Sequence, residues 1–202
     1  MTYSDGVEDD ARFSIGVALT ALERGATVVT RARVTGLLTD AGGSIAGLKV
    51  LDRVGGAEIE ARASKVIDAT GVWLGDPDTR LGGSTMKLVP SRGTHLVFER
   101  ERLPLKVGMT LRVPGRVLFV IPHPGVWLVG TTDVADDGAP DRPAPTTDEV
   151  DEILVSVNDV LEADLRREDA VGAFAGLRPL VGAPGGDTAR VSREHIIHRE
   201  DS

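Results

Sequence analysis

The sequence predicts an α/β (α+β) fold in which an α/β portion with a β-meander is followed by a mixed or antiparallel sheet. Near the start, a helical pattern leads through a glycine into a short apolar strand, which is typical of α/β units. Strand-like segments separated by Gly-containing turns come next and indicate a meander. The second half has short strands bounded by Pro and Gly and one amphipathic helix. Because the composition changes over residues 76–86, we expect two domains, 1–75 and 76–202.

The N-terminal portion predicts a helix and several strands. Residues 9–24 carry apolar side chains at helical spacing, with acidic residues at the start and a glycine at the end. Residues 26–30 are apolar and β-branched and predict a short strand. The strands of the meander are predicted at 32–38, 44–51 and 57–63. The last of them alternates apolar and charged residues, so we expect one solvated face. Residues 65–70 predict a buried strand.

The second half predicts a sheet with one long helix. Its first short strands are predicted at 94–98, 116–121 and 127–129. The acidic, Pro-rich segment 133–145 predicts an exposed loop. Residues 147–165 carry apolar side chains on one helical face, with Thr147 as the N-cap. Two further strands are predicted at 171–177 and 189–197.

Composition and charge exclude several classes of function. The chain has no cysteine, which excludes disulfides, thiolate metal sites and a cysteine nucleophile. The net charge of −8 argues against a nucleic-acid surface, and an anionic substrate would have to meet a local group of arginines. No apolar run approaches the ~18 residues of a transmembrane helix, and no secretory leader is present. These features favour a soluble, cytoplasmic protein.

Motifs for cofactor phosphates and metals are lacking in the sequence. No G-x-G-x-x-G follows a strand at the start of the chain, and no G-x-x-x-x-G-K-[ST] occurs. The segment 66–71, VIDATG, would let the backbone approach a flat ligand, but taken alone it is better explained as a simple strand-to-loop turn. His123, His195 and His198 have no ligand spacing with acidic residues, so no metal site is predicted.

Polar side chains lie at the rims of several apolar strands. The segments are SRGTH from Ser91, VIP from Val120, GTTD from Gly130 and GLRPL from Gly176. Arg178 lies in an apolar run, where a charge is costly unless paired, so a structural salt bridge competes with a ligand-binding role. His95 begins an apolar strand segment, and a hydrogen-bonded strand histidine is the competing interpretation. Thr131 and Thr132 suit a pocket or a turn cap equally.

Taken in order, these segments resemble the FAD-dependent, aerobic-type glycerol-3-phosphate dehydrogenases, which belong to the D-amino-acid-oxidase-like flavoproteins. The matching segments are YSDGVEDDAR, ARVTGL, VIDATGVW, SRGTHLVF, RVLFVIP, LVGTTDV, TTDEVDEIL, GAFAGLRPLV and VSREHII. GTTD followed by GLRPL is specific, whereas ATG is shared by many flavoproteins. The resemblance implies oxidation of sn-glycerol 3-phosphate to dihydroxyacetone phosphate by hydride transfer to FAD, with quinone or oxygen as the electron acceptor. It also implies a partial FAD-binding portion followed by a substrate-binding domain.

The resemblance also implies roles for individual residues. His95 corresponds to the family's active-site histidine near the substrate hydroxyl, and imidazole suits the role of base. Arg178 corresponds to the arginine that holds the substrate, and the planar donors of arginine suit a phosphate dianion. Arg193 matches a further arginine near the site, while Thr131 and Thr132 would donate hydrogen bonds in the pocket. The positions implied to contact the cofactor are Val34, Thr70, Gly71 and Trp73.

The chain departs from the family pattern in its extent. The family's N-terminal glycine-rich loop and a C-terminal segment with a lysine are absent, so we expect an internal fragment that depends on missing N- and C-terminal parts of the same chain. We expect that the fragment alone neither retains FAD nor turns over substrate. His123 stands where members often carry Trp after Pro. A related FAD-dependent amino- or hydroxy-acid oxidase, a non-catalytic binding domain, and a peripheral position at the inner face of the membrane stay open.

Overall fold

The architecture was obtained as a computed structural model, which describes residues 4–74, 86–136, 138–182, 191 and 194–199. The structure is a mixed α/β fold with antiparallel sheets, as the sequence predicts. Contacts between Cα atoms separate it into two compact units, one formed mainly by the residues up to Val66 and the other mainly by those from Ile67 onward. Each unit has its own sheet.

The first unit begins with helix α1, Asp10–Glu23, at the predicted position. The carboxylate of Asp9 caps it by accepting a hydrogen bond from the backbone N–H of Arg12 at 3.0 Å. The helix is followed by Gly25, whose φ of +89° lies in the left-handed region that a glycine enters without steric cost. No residue of α1 is buried, and its apolar side chains, such as Phe13, are exposed.

The meander of the first unit consists of β1 (Ala32–Thr39), β2 (Ile45–Asp52) and β3 (Glu58–Arg62). Strand β2 pairs antiparallel with both neighbours. The register between β1 and β2 shifts between Val34 and Gly36, which indicates a bulge at this point. All five residues of β3 are exposed, so the expectation that only one face of this strand is solvated was wrong.

Two strands predicted from short apolar segments are not formed. Residues 26–30 and 65–70 have no regular secondary structure, and the first segment is exposed throughout. Ile67, in a segment predicted to be buried, is 88% exposed. An extended apolar segment becomes a strand only when a neighbouring strand takes its backbone hydrogen bonds. No strand among the described residues pairs with either segment.

The second unit is organised around one long strand. Its strands are β4 (Leu88–Glu99), β5 (Met109–Val113), β6 (Arg116–His123), β7 (Val126–Gly130), β8 (Val134–Ala135) and β9 (Ala170–Val181). They form a six-stranded sheet in the order β5-β6-β7-β4-β8, with β9 also paired to β4. The segment 133–145, predicted to be an exposed loop, therefore contains the short strand β8 and several half-buried residues.

Helix α2, Thr147–Leu161, covers one face of this sheet. Thr146 is its N-cap, one residue before the predicted Thr147, because Thr146 and Glu149 form a reciprocal capping box. The helix ends earlier than the predicted residue 165, since Glu162 adopts a left-handed φ of 50°. Buried side chains of α2 and of the sheet form the core, among them Leu96, Phe98, Leu111, Leu118, Val120, Trp127, Val129, Ile153 and Val157.

The strand predicted at 189–197 lies largely outside the described residues. Its described end, within 194–199, has no strand.

Candidate functional site

Several of the residues singled out at the strand rims, among them His95, Thr131 and Arg178, lie on the face of the second sheet that α2 does not cover. Side chains alternate along β4, so Leu96 and Phe98 point into the core, while Gly93 and His95 belong to the opposite face. On that open face the register pairs Ser91 with Arg178, Gly93 with Gly176 and His95 with Phe174 of β9. His95 also pairs with Gly130 of β7.

The imidazole of His95 is held between an aromatic ring and a bare strand backbone. It stacks on Phe174 with ring centroids 5.1 Å apart and an interplanar angle of 10°. It also lies against Gly130, where a built Cβ would come within 2.6 Å of His95 Cδ2. Any larger residue at 130 would displace the ring. His95 is half-buried, so its ring is supported while part of it faces solvent.

Arg178 reaches along the open face from β9. Its Nη2 donates to Thr131 Oγ1 at 3.1 Å and to the Thr132 carbonyl at 3.3 Å. Its Nη1 donates to the same carbonyl at 3.3 Å. The guanidinium lies over Gly93, because a Cβ built there would be 2.8 Å from Arg178 Cζ and 2.6 Å from Thr131 Oγ1. The missing side chain at residue 93 is therefore what makes room for this arrangement.

The two candidate residues end up closer than their register positions indicate. Arg178 pairs with Ser91, which is four residues from His95 on β4. The guanidinium, however, lies over Gly93, and Gly93 is only two residues from His95, about 6.6 Å along a strand. The His95 imidazole thus lies over Gly130 and the Arg178 guanidinium over Gly93, on the same face of the sheet.

Thr131 and Thr132 occupy different environments. They follow a cis peptide bond between Gly130 and Thr131. The Thr131 hydroxyl contacts Arg178 on the open face. The Thr132 side chain is fully buried on the other side, where its Oγ1 accepts from the Thr94 backbone N–H at 2.9 Å and donates to Glu149 at 2.8 Å. Only the backbone carbonyl of Thr132 contacts Arg178.

Glu149 is a buried carboxylate that sequence reasoning missed. It is 3% exposed and accepts hydrogen bonds from Arg92 at 2.9 Å, Thr94 at 3.0 Å and Thr132 at 2.8 Å. The backbone N–H and the hydroxyl of Thr146 also donate to it. Burial by itself raises the pKa of Glu149, but the hydrogen bonds from Thr132, Thr146 and Thr94 outweigh burial and lower the pKa. The signal in the sequence was the capping-box spacing from Thr146 to Glu149.

Ser91 is a second residue that was not assigned a role. It is fully buried, and its hydroxyl donates to the Asp133 carboxylate in a short hydrogen bond. The same hydroxyl accepts from Arg178 Nη1 at 3.4 Å. Ser91 therefore connects the Arg178 guanidinium to the Asp133 carboxylate through its hydroxyl.

One of the positions that the family resemblance implies to contact FAD, Val34, lies in the first unit. Val34 is half-buried in β1, beside the bulge. Next to it, Thr35 Oγ1 is a buried hydroxyl oxygen with no hydrogen-bond partner among the described residues. A buried hydroxyl without a partner costs free energy, so it marks a place where a ligand atom would be favourable.

The other positions implied to contact the cofactor form a turn in the second unit. The backbone N–H and the hydroxyl of Thr70 donate to Asp68 at 3.0 and 2.6 Å. Gly71 follows with φ +63°, and a Cβ built there would have no described atom within 4 Å. The indole of Trp73 is 41% exposed, and its Nε1 donates to Asp141 at 3.0 Å. The turn thus presents open backbone and one aromatic ring.

The remaining predictions concern Arg193, metal binding and membrane-spanning helices. Arg193 lies outside the described residues. Across the described ranges, no group of His, Asp and Glu side chains could hold a metal ion. Within those same ranges, no helix is both long and apolar enough to cross a membrane.

Comparison with protein families and curated proteins gives consistent matches. The DAO family, described as FAD dependent oxidoreductase, matches residues 1–200. The glycerol-3-phosphate dehydrogenase of Mycobacterium leprae (strain TN) is 39% identical over 197 residues, covering 96% of this chain and 33% of that protein. A mitochondrial glycerol-3-phosphate dehydrogenase of Arabidopsis thaliana is 34% identical over 208 residues, covering 100% of this chain and 33% of that protein. The chain thus spans about a third of the length of these curated relatives.

Solved structures agree with this assignment. The X-ray structure of the glycerol-3-phosphate dehydrogenase from Bacillus halodurans complexed with FAD has a TM-score of 0.78 and 28% identity, covering 90% of this chain and 40% of that chain. Reduced L-alpha-glycerophosphate oxidase from Mycoplasma pneumoniae with FAD bound shares the fold, with a TM-score of 0.65 and 20% identity over 85% of this chain and 44% of that chain. These matches confirm the resemblance drawn from the sequence motifs. The chain belongs to the FAD dependent oxidoreductase family.

Proposed function

We propose that the natural protein containing this chain oxidises sn-glycerol 3-phosphate to dihydroxyacetone phosphate with FAD. His95 takes the proton of the C2 hydroxyl, and Arg178 holds the phosphate. The observation that carries this proposal is the position of the Arg178 guanidinium over Gly93, on the same face as His95. A phosphate held by this guanidinium would therefore lie on the same face of the sheet as the imidazole.

The residues implied to contact FAD fit such a group. The unpartnered Thr35 hydroxyl beside Val34 suits a polar ligand at the bulge of β1. Thr70 and Gly71 present open backbone, which suits a flat ring, and Trp73 supplies an exposed aromatic surface. When bound, FAD supplies the acceptor of two electrons, which quinone or oxygen then receives. We assign the partial FAD-binding portion to residues 1–75 and the substrate-binding domain to residues 76–202.

The chain's own residues supply the acid–base and binding parts of the reaction. Oxidation of a secondary alcohol removes a hydride, which carries two electrons, from C2 and a proton from the hydroxyl. The half-exposed imidazole of His95 accepts that proton, and stacking on Phe174 fixes the direction of the ring. Arg178 and the Thr131 hydroxyl bind the phosphate oxygens, which a chain with a net charge of −8 must attract locally.

Two assignments from the sequence are adjusted or carried forward. Thr132 keeps a place in the site through its carbonyl, since its side chain is buried against Glu149. Arg193 remains a proposed substrate ligand. We expect a cytoplasmic protein, with a peripheral position at the inner face of the membrane as the alternative.

The test is the visible spectrum of the natural gene product, recorded anaerobically before and after adding sn-glycerol 3-phosphate. Bleaching of an oxidised-flavin band supports both cofactor and substrate. A flavin band that responds to amino or hydroxy acids, but not to glycerol phosphate, would replace the substrate assignment with that of a related oxidase. The absence of a flavin band in protein purified with added FAD would favour a binding domain without redox activity.

A further inference from the structure

Glu149 joins three parts of the second unit through one carboxylate. Its Oε2 accepts from Arg92 Nε and from the N-cap residue Thr146, and its Oε1 accepts from Thr94 and Thr132 hydroxyls. Arg92 forms a further, short ion pair with Asp136. A buried carboxylate with this many donors is strongly held, because losing any donor leaves part of its charge unsatisfied.

The hydroxyl and the backbone carbonyl of Thr132 contact different partners. Its hydroxyl points inward, where it bonds to Glu149 and to the backbone N–H of Thr94. Its carbonyl points to the open face, where it accepts from both terminal nitrogens of Arg178 at 3.3 Å. A shift of the hydroxyl therefore moves the acceptor that positions the guanidinium.

The neighbouring carbonyl is fixed as well. Arg116 Nη1 donates to the carbonyl of Thr131 at 3.3 Å, and Arg116 Nη2 lies 2.9 Å from a carboxylate oxygen of Glu152 on α2. The start of α2 thus holds Thr132 through Glu149, and Arg116 holds Thr131. Because both contacts come from the covered side of the sheet, they leave the open face accessible to ligand.

We infer that Glu149 is a positioning residue for the anion-binding site, which acts through Thr132 to set the place of the Arg178 guanidinium. The ligand class is a phosphate-bearing small molecule. The inference rests on the proposed function for the identity of that ligand, although the linkage itself rests only on the hydrogen bonds. Glu149 does not touch the ligand; it determines where the arginine can meet it.

The test uses Thr132→Val in the natural gene product, with Thr132→Ser as the conservative variant and Glu149→Gln as a second perturbation. Valine removes the hydroxyl that joins Glu149 and keeps the size of the side chain. We expect KM and Kd for sn-glycerol 3-phosphate to rise roughly tenfold, as for one misplaced charge-assisted hydrogen bond, while kcat changes much less. Thr132→Ser should restore both values.

The control separates positioning from general destabilisation. Asn158 lies on the same helix and exchanges two hydrogen bonds with Leu165, at 2.8 and 2.9 Å, away from Thr132. Asn158→Ala should lower the Tm without changing KM. If Thr132→Val and Glu149→Gln lower the Tm but leave KM and Kd at the values of Asn158→Ala, the inference is overturned.

A binding assay with inorganic phosphate distinguishes this inference from the proposed function. If the protein does not respond to glycerol phosphate, yet its phosphate binding weakens in both Arg178→Met and Thr132→Val, the positioning role stands and the substrate assignment fails. If phosphate binding depends on Arg178 but not on Thr132 or Glu149, the positioning role fails. If Thr132→Val does not fold, Glu149→Gln decides by the same measurements.

Discussion

The space above Gly93 can be closed by a single methyl group. In Gly93→Ala, the new Cβ would lie 2.6 Å from Thr131 Oγ1 and 2.8 Å from Arg178 Cζ, both closer than real Cβ atoms come. The strand backbone cannot yield easily, because β4 is paired on both edges. We therefore expect the guanidinium to leave its position and give up its bonds to Thr131 and Thr132.

The magnitude follows from what the displaced arginine loses. A hydrogen bond to a charged group contributes about 1.5–3 kcal/mol, so losing one such bond to the phosphate raises Kd roughly 10- to 100-fold. Overpacking itself costs about 1–3 kcal/mol of unfolding free energy. For a chain of this size, the Tm falls by about 2–4 °C for each kcal/mol. The loss of binding should therefore exceed what the loss of stability explains.

The assay is an anaerobic titration with sn-glycerol 3-phosphate, followed by flavin absorbance, together with thermal unfolding. Gly176→Ala is the matched control, because Gly176 is the register partner of Gly93 and a Cβ built there has no described atom within 4 Å. Gly176→Ala should bind substrate nearly as well as the parent. Equal affinities for the two alanine variants would refute the placement of Arg178 over Gly93.

Three further predictions concern single side chains. His95→Gln should lower kcat roughly 10²- to 10⁴-fold with little change in Kd, measured by single-turnover flavin reduction; an unchanged kcat would remove His95 as the base. Arg178→Met should raise Kd for glycerol phosphate more than it lowers kcat at saturation, and the reverse pattern would contradict a binding role. Glu149 has a lowered pKa in the folded state, so its stabilising contribution is complete above the ordinary glutamate pKa of about 4.3 and is lost as the pH falls through the lowered value. Glu149→Gln should flatten the acid side of a plot of unfolding free energy against pH, and a slope equal to that of the parent would contradict it.

The rim segments could be singled out from the sequence, but their mutual placement could not. SRGTH, GTTD and GLRPL each join polar residues to an apolar strand, which is visible in one sequence. That Ser91 pairs with Arg178 depends on the register between β4 and β9, strands separated by most of the second unit. Register is set by which faces become buried and by the turns between strands, and a single sequence does not determine it for distant strands.

The buried position of Glu149 and of the Thr132 side chain was not predicted, for a different reason. With Thr147 taken as the N-cap, Glu149 became an ordinary acidic residue of the first turn. With Thr146 as the N-cap, Glu149 is the capping-box residue, and its carboxylate is directed back toward the start of the helix. A shift of one residue in the cap thus decides whether this carboxylate is expected on the surface or against the sheet. The burial of the Thr132 side chain follows from that placement.

The glycines of the open face carry information that the sequence alone could have yielded. A glycine inside a strand weakens it, so its presence often marks the close approach of another group. Gly93 lies under the Arg178 guanidinium, and Gly130 lies under the His95 ring. Each of the two proposed catalytic side chains therefore packs over a glycine of a neighbouring strand segment. Had the glycines of SRGTH and GTTD been interpreted as spaces for neighbouring side chains, the sequence would have predicted which face of the sheet carries the site.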